Sequence, residues 1–181
     1  MPEFLNSSLG LKFTVPQAVK EIARFMREDV GRAYKITIGT DSARLPGHRA
    51  DFVTAIVVHR IGNGGRYFWR RIEHSSIHTL RERILREVMI SLDVAKGVIA
   101  ELRACHAATS GGALACPEGV SNEARAVKLP DFDFEIHVDV GERGPTQPMI
   151  QEVVAMIRAN NFEARTKPES YAASKVADRH V

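Results

Sequence analysis

Three carboxylates stand at positions where a divalent cation would need them. Asp41 closes a β-branched run, Tyr34-Lys35-Ile36-Thr37-Ile38-Gly39-Thr40-Asp41-Ser42. Asp139 closes a second alternating run, in which Phe134, Ile136, Val138 and Val140 share one face and Asp133, Glu135, His137 and Asp139 the other. Each acid lies at the end of a strand, where a charge is costly unless it is paired or holds a cation. Glu87 falls at the edge of the apolar stripe of a long helix, able to look towards the sheet while still reaching solvent. Converging acids raise one another's pKa values, and Mg²⁺ or Mn²⁺, which accept all-oxygen ligation, relieve that repulsion. Two such ions can hold a phosphodiester between them, one generating the attacking hydroxide and the other stabilising the leaving oxygen. A plainer reading stays open for each residue. Asp41 can cap a turn through Ser42, and Glu87 can pair with Arg83 or Arg86 on its own helix.

The elements that must position these acids are legible in order. Residues 1–13 read as an irregular lead-in. Thr14 and Gln17 have capping-box spacing with Pro16 in the first turn, and Val15, Ala18, Val19, Ile22, Phe25 and Met26 give the following helix one apolar face. Strand Tyr34–Ser42 is followed by a polar turn over 43–51, a strand Phe52–His59, a Gly62-Asn63-Gly64-Gly65 hairpin turn, and a strand Arg66–Glu73. A helix is expected over Thr79–Leu102, and a long Ala-, Gly- and Ser-rich surface loop over 103–130. Then come a strand Phe132–Val140, a helix Pro145–Asn160, a short strand Phe162–Thr166 stopped by Pro168, and a helix opened by Ser170. A meander running on into strand–helix–strand units predicts an α/β fold with a mixed five-stranded sheet: three antiparallel strands, two parallel ones, and helices on both faces. If the fourth strand lies parallel to the first, Asp41 and Asp139 emerge at the same end of the sheet.

Composition narrows the classes. The chain has 181 residues, a formal net charge of +3 and two cysteines. That length predicts a single domain, 1–181. No run of 18 apolar residues offers a membrane span, and no basic-then-apolar start marks a signal peptide. Cys105 and Cys116 make no disulfide framework, and with His106 they match no zinc template, so reduced thiols in a cytoplasmic protein are expected. The mild positive charge, mostly arginine, permits a nucleic-acid partner without demanding one.

The chain resembles the uncharacterised bacterial YkuK-like family, predicted to be ribonuclease-H-like nucleases. The residues that carry the likeness are Ile38-Gly39-Thr40-Asp41-Ser42, Glu82-Arg83-Ile84 with Glu87, His137-Val138-Asp139-Val140-Gly141, and Lys167-Pro168-Glu169 with Tyr171-Ala172-Ala173-Ser174. The likeness runs from about Pro16 onward. It implies a ribonuclease-H-like fold in which Asp41, Glu87 and Asp139 take the places of the first three metal-binding acids. It also implies a fourth acid on the last helix or at its start, with Asp178 the first candidate and Glu169 the second. Lys167 and Lys175 become candidates for contacting a phosphate or protonating a leaving group. Ala43 departs from the family's glutamine after Asp-Ser, which bears on substrate contacts more than on metal binding.

The implied activity is metal-dependent cleavage of RNA, an RNA/DNA hybrid or structured DNA, with Asp41, Glu87, Asp139 and Asp178 as catalytic and metal-binding residues. The alternative is a non-catalytic module on the same fold that binds nucleic acid or protein. An ATP-using enzyme of the sugar-kinase and actin type needs two such halves around a cleft, and this length supplies one. Arg44 and Arg49 of the first turn, and Arg66, Arg70 and Arg71 of the third strand, line a substrate track or form ordinary solvated surface.

Overall fold

β-branched and aromatic residues recur along the long central strands, and the computed structural model, which describes residues 4–6, 10–110 and 129–180, arranges the strands in one seven-stranded sheet. The strands are β1 (Phe4–Asn6), β2 (Lys12–Phe13), β3 (Tyr34–Leu45), β4 (Arg49–Arg60), β5 (Gly65–His74), β6 (Phe132–Val138) and β7 (Glu163–Arg165), in the order β2-β1-β5-β4-β3-β6-β7. β3, β4 and β5 form the antiparallel meander, and β6 and β7 add parallel to β3. The mixed five-stranded core expected from the sequence is therefore present.

The lead-in is not wholly irregular, which corrects the expectation for residues 1–13. β1 and β2 pair with each other, and β1 adds antiparallel to the free edge of β5. Such short pairings carry too few alternating side chains to announce themselves. The turn expected over 43–51 shrinks to residues 46–48, because the ladder continues to Leu45↔Arg49. Gly47 and His48 supply its positive φ angles, 76° and 56°.

Helix α1 (Val15–Arg27) starts on the Thr14/Gln17 capping box. Helix α2 (Leu80–Ser110) runs past the expected stop at Leu102 into the segment read as loop, and residues 111–128 of that segment lie outside the described ones. β6 ends at Val138, two residues early. A 3₁₀ turn (Gln147–Met149) leads into α3 (Ile150–Ala159). The last helical segment is a π-helical stretch (Ala172–Ala177) running into a 3₁₀ turn (Asp178–His180), rather than a regular α-helix.

Pleating decides the layers. Ile36, Ile38, Ile56, Val58, Phe68, Ile136 and Val138 point to one face and close a core with Val19 and Ile22 of α1, Val88 and Leu92 of α2, and Val153 and Ile157 of α3. On the other face Val53, Ala55, Val57 and Trp69 pack against Val176 and Ala177 of the last segment. Helical elements thus cover both faces. None is long and apolar enough to cross a membrane among the described residues.

Candidate metal centre at the sheet end

Parallel pairing of β3 with β6, in the register Ile38↔Ile136 and Thr40↔Val138, carries both strands out at the same end of the sheet. Asp41 and Asp139 share the face covered by the last helical segment, whereas Glu87 comes from α2 on the other face. The start of α2 is fixed by Glu82, whose carboxylate accepts the backbone N–H groups of His78 and Thr79 at 2.7 and 3.0 Å. Glu82 is in turn held below the ordinary glutamate range by those bonds. Further along, Ser91 joins Thr40 at 2.8 Å, and Thr40 joins Thr54 at 3.1 Å, a buried hydroxyl chain that docks α2 onto β3. One turn before Ser91, Glu87 is buried and accepts the Ser42 hydroxyl at 2.5 Å. Arg83 donates to the Ser42 carbonyl at 2.9 Å, so Glu87 takes neither of the helix ion pairs that the sequence left open.

The acids sense one another. Burial pushes the Asp41 carboxyl up to about 6; the Ser42 backbone N–H opposes this, and the charges of Asp139 and Asp178 add to it. Burial pushes Glu87 up to about 8, against the Ser42 hydrogen bond, with Asp41 and Asp139 adding repulsion. Asp139 and Asp178 therefore lie within electrostatic reach of Asp41, and Asp41 and Asp139 within reach of Glu87. Glu169 instead faces Arg165 at 3.3 Å and is largely exposed.

Two observations bear on a cation. Glu87 Oε2 and Asp139 Oδ1 are buried with no hydrogen-bond partner. Asp139 Oδ2 meets the Lys167 ammonium at 2.9 Å, which supplies the acid with a countercharge. Lys167 is brought there by a backbone bond from its N–H to the Val140 carbonyl at 2.9 Å. Hard oxygen donors, orphaned oxygens and raised pKa values fit a divalent ion such as Mg²⁺ or Mn²⁺. As the side chains stand, no group of three or more His, Cys, Asp or Glu among the described residues is arranged to hold a metal ion. Asp41, Glu87 and Asp139 are each engaged with a protein partner, Ser42, Ser42 and Lys167 in turn.

Beside the acids lies a polar network centred on Glu135 and His137, to neither of which the sequence reading gave a role. Glu135 Oε1 accepts from Lys35 Nζ at 3.2 Å and from Arg165 Nε at 3.1 Å. Its Oε2 lies 3.3 Å from His137 Nε2. His137 Nδ1 accepts the Ala172 N–H at 3.1 Å, which assigns the ring proton to Nε2 and ties the last segment to β6. Burial keeps His137 below the ordinary histidine range, while hydrogen bonds outweigh burial to hold Glu135 ionised. These residues, with Glu169 and Tyr171, line a cavity of about 400 Å³. The signal was available, since β6 alternates polar residues on a face that an internal strand normally makes apolar.

Several arginines weighed as a substrate track are engaged elsewhere. Arg49 pairs with Glu73, Arg66 with Glu28 and Arg71 with Asp51, at 2.8, 3.4 and 3.1 Å. Lys175 is exposed. Cys105 lies half-buried on α2, and Cys116 falls outside the described residues.

Comparison with known proteins agrees with this architecture. The family model described as "Ribonuclease H-like" matches residues 17–181. The chain is 28% identical over 178 residues to "Uncharacterized protein YkuK" of Bacillus subtilis (strain 168), covering 93% of this chain and 91% of that protein. No solved structure matches.

Proposed function

Since the chain belongs to the ribonuclease H-like family, we propose that it is a metal-dependent nuclease that hydrolyses phosphodiester bonds of RNA, an RNA/DNA hybrid or structured DNA. The observation that carries this reading is the pair of buried carboxylate oxygens without a hydrogen-bond partner, Glu87 Oε2 and Asp139 Oδ1, beside Asp41, where burial first and neighbouring acids second push Asp41 and Glu87 up. These four residues would hold Mg²⁺ or Mn²⁺. When bound, such ions supply a nucleophile at neutral pH and stabilise the leaving oxygen.

The chain's own residues do the rest. Ser42 orients two acids at once, donating its N–H to Asp41 at 2.8 Å and its hydroxyl to Glu87. Lys167 balances Asp139 and is half exposed, free to turn its ammonium to a substrate phosphate when the carboxylate takes another cation. The Glu135–His137 network fixes the start of the last segment and so the approach to Asp178.

A second reading, a non-catalytic module binding nucleic acid or protein, draws on the Lys167–Asp139 pair, which already neutralises one acid. The discriminating experiment is cleavage of single-stranded RNA, hybrid and branched DNA in Mg²⁺ or Mn²⁺ by the parent and by Asp41→Asn. Cleavage by the parent, lowered at least a hundredfold in the variant, is expected for loss of a cation-holding group. Salt-sensitive binding with no cleavage, unchanged by Asp41→Asn, would favour the module.

A further inference from the structure

Trp69 of β5 sits on the sheet face covered by the last helical segment, and His180 lies flat upon it. The two ring centroids are 4.2 Å apart and the planes 7° from parallel. Tyr67, two residues earlier on the same face, meets the His180 ring at 6.0 Å. Arg71, two residues later, gives its guanidinium to the His180 carbonyl and pairs with Asp51. His180 Nε2 is buried with no hydrogen-bond partner. The ring is therefore held through its face, a job that any flat aromatic ring can do.

The anchored turn matters because Asp178 opens it. The turn is only three residues long, and so short a piece frays unless something ties it down. The segment that leads into the turn lies across the sheet: the Thr37 hydroxyl of β3 donates to the Tyr171 hydroxyl at 3.3 Å, and Val176 and Ala177 pack on Val53 and Ala55 of β4. Asp178, which follows Ala177, is near enough for its charge to act on Asp41 of β3, two strands away from β5 in the sheet order.

We propose that Trp69, Tyr67 and Arg71 form a seat for His180, and that this seat is a positioning device which holds Asp178 in the carboxylate site. The inference rests on the reading of that site as a divalent-cation centre. His180 touches no reacting group and acts through Asp178. Seating the ring and loading the cation are then thermodynamically linked, each favouring the other.

Trp69 is the single tryptophan of the chain, so its emission reports directly on the seat. The test follows tryptophan emission of the full chain during Mg²⁺ titration and measures Mg²⁺ affinity separately by calorimetry. The variants are His180→Ala, His180→Phe and Asp178→Asn, each checked for fold by circular dichroism. The parent is expected to bind Mg²⁺ with a change in emission. His180→Ala should bind about tenfold more weakly and lose the emission change, the order expected for losing an aromatic stack. His180→Phe should restore both. Asp178→Asn should weaken binding while its ion-free emission matches the parent's. If His180→Ala fails to fold, Arg71→Met cuts the carbonyl tie with the rings intact and should shift affinity in the same direction. Parent-like affinity in His180→Ala (or in Arg71→Met, where it replaces it), or no recovery in His180→Phe, overturns the seat while the cation site stands. A parent that binds no Mg²⁺ overturns the cation site, and the seat's role with it.

Discussion

Glu87 bears the heaviest electrostatic burden at the site. It is buried, one carboxylate oxygen is bonded only to Ser42, and the other has no partner. Asp41 shares the difficulty in milder form. Both acids hold their protons more tightly folded than unfolded, with values near 8 and 6 against 4.5 and 3.8. The stability they lend is therefore full below about pH 4 and is lost as pH climbs through 6 and then 8. In chelator, the melting temperature should fall across that window, and saturating Mg²⁺ should restore it at the alkaline end by binding the ionised folded state. Glu87→Gln should flatten the decline and blunt the Mg²⁺ effect. A chelated protein whose melting temperature ignores pH, or a Glu87→Gln profile identical to the parent's, contradicts this assignment of charge.

At the scale of elements, α2 and β3 must keep their register for Glu87 to reach the sheet end. The Thr54–Thr40–Ser91 hydroxyl chain does this, since Ser91 lies one turn beyond Glu87 on the same helix face. Ser91→Ala removes a partner from a buried hydroxyl and should cost about 1–2 kcal/mol. It should lower the urea midpoint without altering the slope. An unchanged midpoint would mean that apolar packing of Val88 and Leu92 alone sets the register.

These elements also mark how far sequence reading goes. Alternation placed Ile36 and Ile38 inward and Asp41 outward, and helical spacing put Glu87 at the edge of its stripe, because one-face burial enforces both periods. Spacing carried no information on Ser42 as the anchor of Glu87, on Lys167 as the countercharge of Asp139, or on His180 lying against Trp69. Each of those contacts joins residues far apart in the chain, and only the assembled fold brings them together. β1 and β2 were illegible for another reason: two- and three-residue strands depend on the waiting edge of β5 more than on their own side chains.

For the whole molecule, the proposed centre would draw on four positions distant in the chain. The parallel β3–β6 pair aligns two strand ends, α2 reaches over from one face, and the last segment closes from the other. Arginine-rich surface and a formal charge of +3 suit a polyanionic partner, although many of the arginines are committed to ion pairs, so charge alone does not define the substrate path. What the arrangement claims above all is that these acids grip a divalent ion together. Crystals soaked in Mn²⁺ and measured for anomalous scattering test this most directly. The account predicts a manganese peak between Asp41 and Asp139, with Glu87 within ligand or water-bridged reach and Lys167 turned away from Asp139. Manganese found only elsewhere on the surface, with the Lys167–Asp139 pair intact, would contradict it.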